Sequence, residues 1–418
     1  MKLRDRKYHP RQLWRESRNM KYHPRQLLRV TRSRIHRFWH LSSADVFAVA
    51  GSCGKTTATH FLGKILSDCA PCFVGVNKNC GKATLKNLAK TRTRYRYFVQ
   101  EAGVTRPGDM ARNISLLRPN IGIVTTIGKD HYTNFRTLDA TAAEKGTLIE
   151  SLPNSGTAVL NADDPHVLGM RQRTVARVLT YGLSEQADVR ATEIRAVWPE
   201  RLSMTVTFQG ESVRIETGLF GDLLTTSLLA AIAGALAAGV SLKQCEASLD
   251  GIESFIRRLS IHRSPQGSWI INDICKAPFW GVERVISLMK DATAPRTTVV
   301  LGSFSDTGSG SASRKYRAMA QLGLDVADRV IFVGSNAAYV KKMITPQLEG
   351  RLFAFDSIKT ACQLLAEDCM ENELVLLKSS NKVHLERMIY GQKEEFKCWK
   401  ETCEKKIHCE ECKESGLK

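Results

Sequence analysis

Gly51-Ser52-Cys53-Gly54-Lys55-Thr56-Thr57 is the stretch most suited to chemistry. It follows the apolar run Val46–Ala50 and leads into Ala58–Leu66, which reads as a helix. Strand, glycine turn and helix in that order make a phosphate-binding loop. The glycines let backbone N–H groups face phosphate oxygens, and the helix N-terminus adds a favourable dipole. Lys55 can reach the β- and γ-phosphates, and Thr56 can place a hydroxyl on Mg²⁺. The long form of the motif has a glycine five residues before Gly54, where this chain has Val49, so the loop is the short form. An ordinary glycine turn before a helix is the alternative. A carboxylate, Glu101, ends the apolar segment Tyr95–Glu101. An imidazole, His131, follows the apolar segment Ile121–Thr125, and Asn161 follows Thr157–Leu160. A hydroxyl, a carboxylate and an imidazole beside a phosphate loop can hold one or two Mg²⁺ ions. Taken singly, Glu101 also reads as a strand end, His131 as a satisfied histidine and Lys145 as a solvated helix lysine.

The elements that must position these groups alternate. Strands are expected near 46–50, 73–76, 95–101, 121–125 and 157–160, with helices at 58–66, 109–117 and 137–151. That alternation predicts a mostly parallel sheet with helices on its faces, whose ligands gather at the carboxyl ends of the strands. Residues 189–218 read as β-rich, followed by helices at 222–238 and 242–250. After Arg257-Arg258 a second alternation begins, with strands at 269–273, 297–302, 329–333, 352–355 and 373–377. Its helices are expected at 280–290, 312–324, 357–368 and 382–390. The expected division is a basic extension over 1–44, an ATP-binding domain over 45–257, a second α/β domain over 258–395 and a Cys-rich tail over 396–418.

The bulk composition fits this plan. The chain has 418 residues, 43% hydrophobic and 25% charged, enough for two or three domains with cores of their own. Net charge is +19, and residues 1–40 hold three Lys and ten Arg against Asp5 and Glu16. Such an arm suits an anionic partner or membrane surface; a solvated tail is the alternative. The arm repeats itself: Lys7-Tyr8-His9-Pro10-Arg11-Gln12-Leu13 returns as Lys21-Tyr22-His23-Pro24-Arg25-Gln26-Leu27. No apolar core of a secretory signal follows the N-terminal charges. The run Leu223–Val240 is too weakly hydrophobic for a membrane span and is expected to be a buried helix. A cytoplasmic protein with reduced thiols is expected. Four of the twelve cysteines fall at the end: Cys398, Cys403, Cys409 and Cys412, with His408 beside them, which makes a structural Zn²⁺ site in the tail an expectation. A charged helix with incidental thiols is the alternative.

Several segments, in one order from about Val46 to Glu395, resemble the Mur ligase family, most of all the branch that adds D-Ala-D-Ala to a muramyl tripeptide. Beside the phosphate loop these are Val99-Gln100-Glu101-Ala102-Gly103 with Gly108, Thr125-Thr126-Ile127-Gly128-Lys129-Asp130-His131, Ala143-Glu144-Lys145-Gly146 and Val159-Leu160-Asn161-Ala162-Asp163-Asp164. Val299–Ser303 and Val375–Ser380 are the later ones. The resemblance implies a P-loop central ATPase domain followed by a Rossmann-like α/β domain. It implies an ATP- and Mg²⁺-dependent ligase joining a carboxylate to an amine through an acyl phosphate. Lys55, Glu101, His131 and Lys145 would be its catalytic set, with Lys145 carbamylated and, with Thr56, Glu101 and His131, at the metal. Asn161, Asp164 and Arg258 would lie by the nucleotide; Asp273, Lys276 and Lys378 would face the substrates. The family's N-terminal UDP-sugar domain is expected to be missing. The acceptor segment departs as well: Asn272-Asp273-Ile274-Cys275-Lys276-Ala277-Pro278 keeps the aspartate and not its neighbours, so the incoming amine is expected to differ. Two other readings stay open: a catalytically weakened, nucleotide-binding regulatory subunit, and a nucleic-acid-associated NTPase suggested by the arm and tail.

Overall fold

The run Asp45–Ala50 is apolar on both sides of the pleat, and such a strand is stable only when covered on both faces. It becomes β1, the third strand of a nine-stranded sheet. The computed structural model describes Thr31, Arg37 and residues 41–417, apart from 77–80, 92–93, 130–131, 306–309, 393–394, 401–402, 404 and 406. The sequence repeat in the basic arm lies outside the described residues.

The first sheet contains β2 (Cys72–Gly75), β3 (Tyr97–Glu101), β4 (Ile121–Val124), β5 (Thr157–Asn161), β6 (Arg177–Gly182), β7 (Val189–Arg195), β8 (Ser203–Phe208) and β9 (Glu211–Glu216). Their spatial order is β2-β3-β1-β4-β5-β6-β7-β8-β9. Pairing is parallel as far as β7, and the last two pairings are antiparallel. β1 lies between β3 and β4 with Val49 opposite Glu101 and Ala50 opposite Val124. That register carries Glu101 to the level of the phosphate loop. β6 is not expected from the sequence, because it opens on the exposed Arg177 and the half-buried Val178 and then stays buried through Gly182, so no alternation marks it.

Helix α1 (Lys55–Cys69) covers one face of this sheet beside α2 (Thr225–Ala237). The latter is the Leu223–Val240 run, and it is buried almost all round, from Ser227 through Ala235. A helix apolar on every side must sit in a core. Among the described residues no helix is long and apolar enough to cross a membrane.

The second sheet holds β10 (Ser260–Arg263), β11 (Trp269–Asp273), β12 (Thr297–Leu301), β13 (Arg329–Val333), β14 (Leu352–Phe355) and β15 (Leu374–Lys378), ordered β10-β11-β15-β12-β13-β14. Only β10 runs antiparallel, at the edge; its sequence Ser-Ile-His-Arg carries one apolar residue and no readable period. The expected helix at 382–390 shrinks to Arg387–Tyr390. His384 takes a φ of 55° and turns its ring onto Glu386, which stops a helix from starting earlier.

Arg257 and Arg258 lie between the two sheets. The basic arm is not wholly separate from the fold. Arg37 donates from Nε to the Leu117 carbonyl at 2.8 Å and from Nη2 to the Arg118 carbonyl at 2.7 Å. These carbonyls end helix α3 (Asp109–Leu117), where a cation is favoured.

Candidate functional site

β1, β3, β4, β5, β11 and β15 all end at one cleft of about 810 Å³ between the two sheets. From the first sheet it is lined by the phosphate loop, Glu101, Thr125 and Asn161; from the second by Asp273, Lys276 and Lys378, with Arg258 between.

The loop is held by close backbone approaches. Gly54 sits in the left-handed region at φ 78°, and a Cβ there would lie 2.6 Å from Ser227 Oγ on α2. Gly51 has φ 139°, and its Cβ would lie 1.9 Å from Thr125 Oγ1. Only glycine fits both places. The Ser52 N–H donates to the Thr126 carbonyl at 2.7 Å, and the Cys53 N–H to Thr126 Oγ1 at 3.2 Å. No side chain caps the start of α1. Its first N–H groups therefore point out of the helix with no intrahelical acceptor, the arrangement that receives a phosphate.

Lys55 is buried rather than projecting: its Nζ donates to the carbonyls of Gly51 at 2.7 Å and Ser52 at 3.2 Å. Thr56 Oγ1 donates to Glu101 Oε2 at 2.9 Å and accepts from Arg258 Nη2 at 3.1 Å. A hydroxyl and a carboxylate oxygen this close form a hard donor set of the kind Mg²⁺ takes. His131, expected beside them, lies outside the described residues.

Lys145 is buried on helix α4 (Leu138–Glu150) and does not line the cleft. Its neighbour Glu144 fixes the helix. The two carboxylate oxygens accept from the Gly108 N–H at 2.9 Å and the Met110 N–H at 2.8 Å, at the start of α3. Arg173 holds the other side, donating to the Ala142 and Ala143 carbonyls at 3.3 and 3.2 Å.

Asn161 Nδ2 donates to the Thr125 carbonyl at 2.9 Å. Asp164 lines the cleft, yet its carboxylate is taken by three backbone amides: Ile127 at 2.7 Å, His166 at 3.0 Å and Val167 at 3.2 Å. It caps a short helix and holds the loop after β4 in place. Tyr181 supports the same loop, donating to the Val124 carbonyl at 3.0 Å. Burial first, then the carboxylates of Asp164 and Asp163, push its hydroxyl well above the usual range, so it stays a donor.

Across the cleft, Asp273 and Lys378 end adjacent parallel strands in register. Lys378 Nζ lies 2.5 Å from Asp273 Oδ2 and donates to the Lys276 carbonyl at 2.9 Å. Trp280, not singled out from the sequence, lines the cleft and packs so closely on Gly128 that a Cβ there would lie 2.6 Å from its ring. An isolated tryptophan carries no signal separating a site wall from ordinary core.

The tail residues are placed differently from the expectation. Among the described residues Cys398, Cys403 and Cys412 join no group of three ligand atoms within 4.8 Å of one another; His384, Glu386 and Cys409 form one. Cys409 turns inward onto the segment after β15 because Arg387 Nε donates to its sulfur at 3.4 Å and Glu386 Oε1 accepts its N–H at 3.2 Å. Burial pushes the Cys409 thiol up to about 12, against the pull of Arg387. Burial also opposes the charge on Glu386, but the hydrogen bond and charge of His384 outweigh it and hold the carboxyl down at about 2. Nothing in the sequence pairs a histidine at 384 with a cysteine at 409.

Comparison with known proteins agrees with this arrangement. The Mur ligase middle domain family matches residues 49–235. The UDP-N-acetylmuramoyl-tripeptide–D-alanyl-D-alanine ligase of Mycobacterium bovis is 25% identical over 365 residues, covering 81% of this chain and 71% of that protein. The crystal structure of MurF from Acinetobacter baumannii superposes with a TM-score of 0.75 at 22% identity, covering 88% of this chain and 79% of that one. MurF ligase from Thermotoga maritima, solved in complex with ADP, gives 0.74 at 18% identity over 87% and 82%. Residues 49–235 are a Mur ligase middle domain, and the relatives that the chain resembles over most of its length are Mur ligases, which are ATP-dependent amide ligases.

Proposed function

We propose that this protein joins a carboxylate to an amine at the expense of ATP, in the cell-wall chemistry of its relatives. The observation that carries the reading is the convergence of Lys55, Thr56 and Glu101 on one wall of a single cleft with Asp273 and Lys378 on the other. A ligase of this kind needs a phosphate grip and an acceptor side facing each other across one space.

In this reading residues 45–257 bind ATP and residues 258–395 close over it. The N–H groups of the loop and of α1, with Lys55, hold the phosphates. Asn161 and Arg258 flank the nucleotide, and Asp164 fixes the loop after β4. Thr56 and Glu101 would hold Mg²⁺, with His131 and a carbamylated Lys145 contributing to a second position. Bound magnesium supplies neutralisation of the triphosphate charge. A carboxylate oxygen of the first substrate attacks the γ-phosphorus, and ADP leaves. The amine of the second substrate attacks the acyl carbon; inorganic phosphate leaves and the amine gives up a proton. Asp273, Lys276 and Lys378 orient that amine and stabilise charge at the acyl centre. A tail zinc would be structural and outside this reaction. The site of action is the cytoplasm, where ATP is available.

The test is phosphate release by the purified chain with ATP, Mg²⁺ and pairs of substrates. The pair printed in the relatives' names, UDP-N-acetylmuramoyl-tripeptide and D-alanyl-D-alanine, comes first, then free amino acids and shorter muramyl peptides. Release that needs both a carboxylate and an amine, with the amide seen by mass spectrometry, is the expected outcome. Stimulation by DNA or RNA instead would sink the reading in favour of a nucleic-acid-associated NTPase.

A second reading is a nucleotide-binding regulatory subunit. What favours it is that the Thr56 hydroxyl is engaged by both Glu101 and Arg258. ATP binding without turnover under any substrate pair would support it. For the basic arm we propose an anionic partner, tested by heparin retention after removal of residues 1–30, which spares Arg37.

A further inference from the structure

We propose that His384, Glu386, His408 and Cys409 form a structural zinc site that pins the tail to the second sheet. His384 Nδ1 lies 2.8 Å from Glu386 Oε1, Cys409 Sγ lies 3.9 Å from His384 Nδ1, and His408 Nδ1 lies 4.0 Å from Glu386 Oε1. Tetrahedral zinc with bonds of about 2.0–2.3 Å sets its ligand atoms roughly 3.3–3.8 Å apart. The ligand atoms of His384, Glu386 and Cys409 all lie within 4.8 Å of one another, close to that spacing, and His408 stands beside Glu386 to supply the fourth. His384, Glu386 and Cys409 are all buried, as a closed structural site requires.

The chemistry of the donor set agrees. Two neutral imidazoles, one carboxylate and one thiolate balance the charge of Zn²⁺, and mixed N, O and S donors suit it better than they suit Mg²⁺ or Ca²⁺. Binding forms the Zn–S bond and releases the Cys409 thiol proton to water. Arg387 Nε, 3.4 Å from the sulfur, would donate to the thiolate, and the Cys409 N–H already orients Glu386. Such outer contacts fix the ligands of a metal site.

The tail is held on the far side as well. Glu410, next to Cys409, forms an ion pair with Arg257, which is buried in the segment leading into β10. The ligands come from two segments 25 residues apart, so the site closes only when the tail is docked.

Full-length protein should be incubated with zinc chloride, dialysed and analysed for metal. We expect about one zinc per chain. Cys409→Ser and Glu386→Gln should lose it, while Cys398→Ser, Cys403→Ser and Cys412→Ser keep it. Cobalt in place of zinc should give the wild-type chain a thiolate charge-transfer band, absent in Cys409→Ser. Chelation should lower the melting temperature of the wild type and leave that of Cys409→Ser unchanged. A wild-type chain that keeps no zinc, or binds cobalt without the thiolate band, overturns the proposal whether or not the variants fold. Retention by Cys409→Ser with loss from Cys403→Ser would place the metal elsewhere in the tail and overturn it equally. None of these readouts depends on ligase activity.

Discussion

Arg258 reaches from the junction of the two sheets to the first turn of α1, where its Nη2 donates to Thr56 Oγ1 at 3.1 Å across 202 residues of chain. The same hydroxyl donates to Glu101 at 2.9 Å. One threonine thus ties the phosphate loop to the strand beside it and to the entry of the second sheet. Any change in how the sheets face each other is felt at the nucleotide side of the cleft.

Arg258→Ala is expected to lower kcat/KM for ATP. A hydrogen bond to a charged group contributes about 1.5–3 kcal/mol, so the loss should be roughly 10- to 150-fold. Arg258→Lys keeps the charge without the planar donor and should recover only part. Steady-state phosphate release measures both, and an unchanged kcat/KM in Arg258→Ala would show that the contact plays no part in turnover.

Lys55→Ala is expected to cut turnover about 10²- to 10³-fold, the usual cost of losing a donor aimed at developing charge. The buried position of Lys55 adds a second consequence. Its amine satisfies the Gly51 and Ser52 carbonyls, so the variant should also lose about 1–2 kcal/mol in urea unfolding. Full activity in a folded variant is the result that removes the phosphate-grip role.

What the sequence made legible is what is local in the chain. Gly51–Thr57 reads as a loop because its strand, turn and helix are contiguous, and Glu101 and Asn161 are legible because each closes an apolar run. Contacts between distant segments were not. Lys378 and Asp273 were expected on the substrate side but not as a bonded pair, since the pairing follows from β15 lying next to β11, 105 residues apart in sequence. His384 and Glu386 escaped notice because their partner arrives from the tail. The tail cysteines suggested a local knuckle, whereas Cys409 is drawn away from them by Arg387 and Glu386.

The Asp273–Lys378 pair is nearly fully buried, with side chains 14% and 4% exposed. Removing one member leaves an uncompensated charge, which costs about 3–5 kcal/mol. Asp273→Ala should therefore be destabilised by that amount, and Asp273→Ala with Lys378→Met should recover part of it. Both should lower amide formation far more than ATP affinity, because the pair stands on the acceptor side. Chemical denaturation and nucleotide calorimetry separate the two effects. Additive losses in the double variant would mean that the pair is not coupled.

His60, on α1 five residues after Lys55, supplies a pH dependence of known sign. Its ring stands 5.1 Å from that of Phe255 and 5.8 Å from that of Phe61, and burial lowers its pKa from the ordinary 6.5. The folded state therefore resists protonation at a pH where the unfolded chain accepts it. The neutral ring's contribution is fully present above 6.5 and is lost as pH falls through 6.5 toward the lower folded value. In that window the unfolded state binds more protons, so stability rises with pH, by at most about 1.4 kcal/mol per unit from this one group. His60→Gln keeps a polar side chain and cannot titrate. Urea unfolding from about pH 5 to pH 8, the range in which histidine changes charge, should show a shallower slope for the variant than for the wild type. Parallel slopes would mean that the ring is as well solvated in the folded protein as in the unfolded chain.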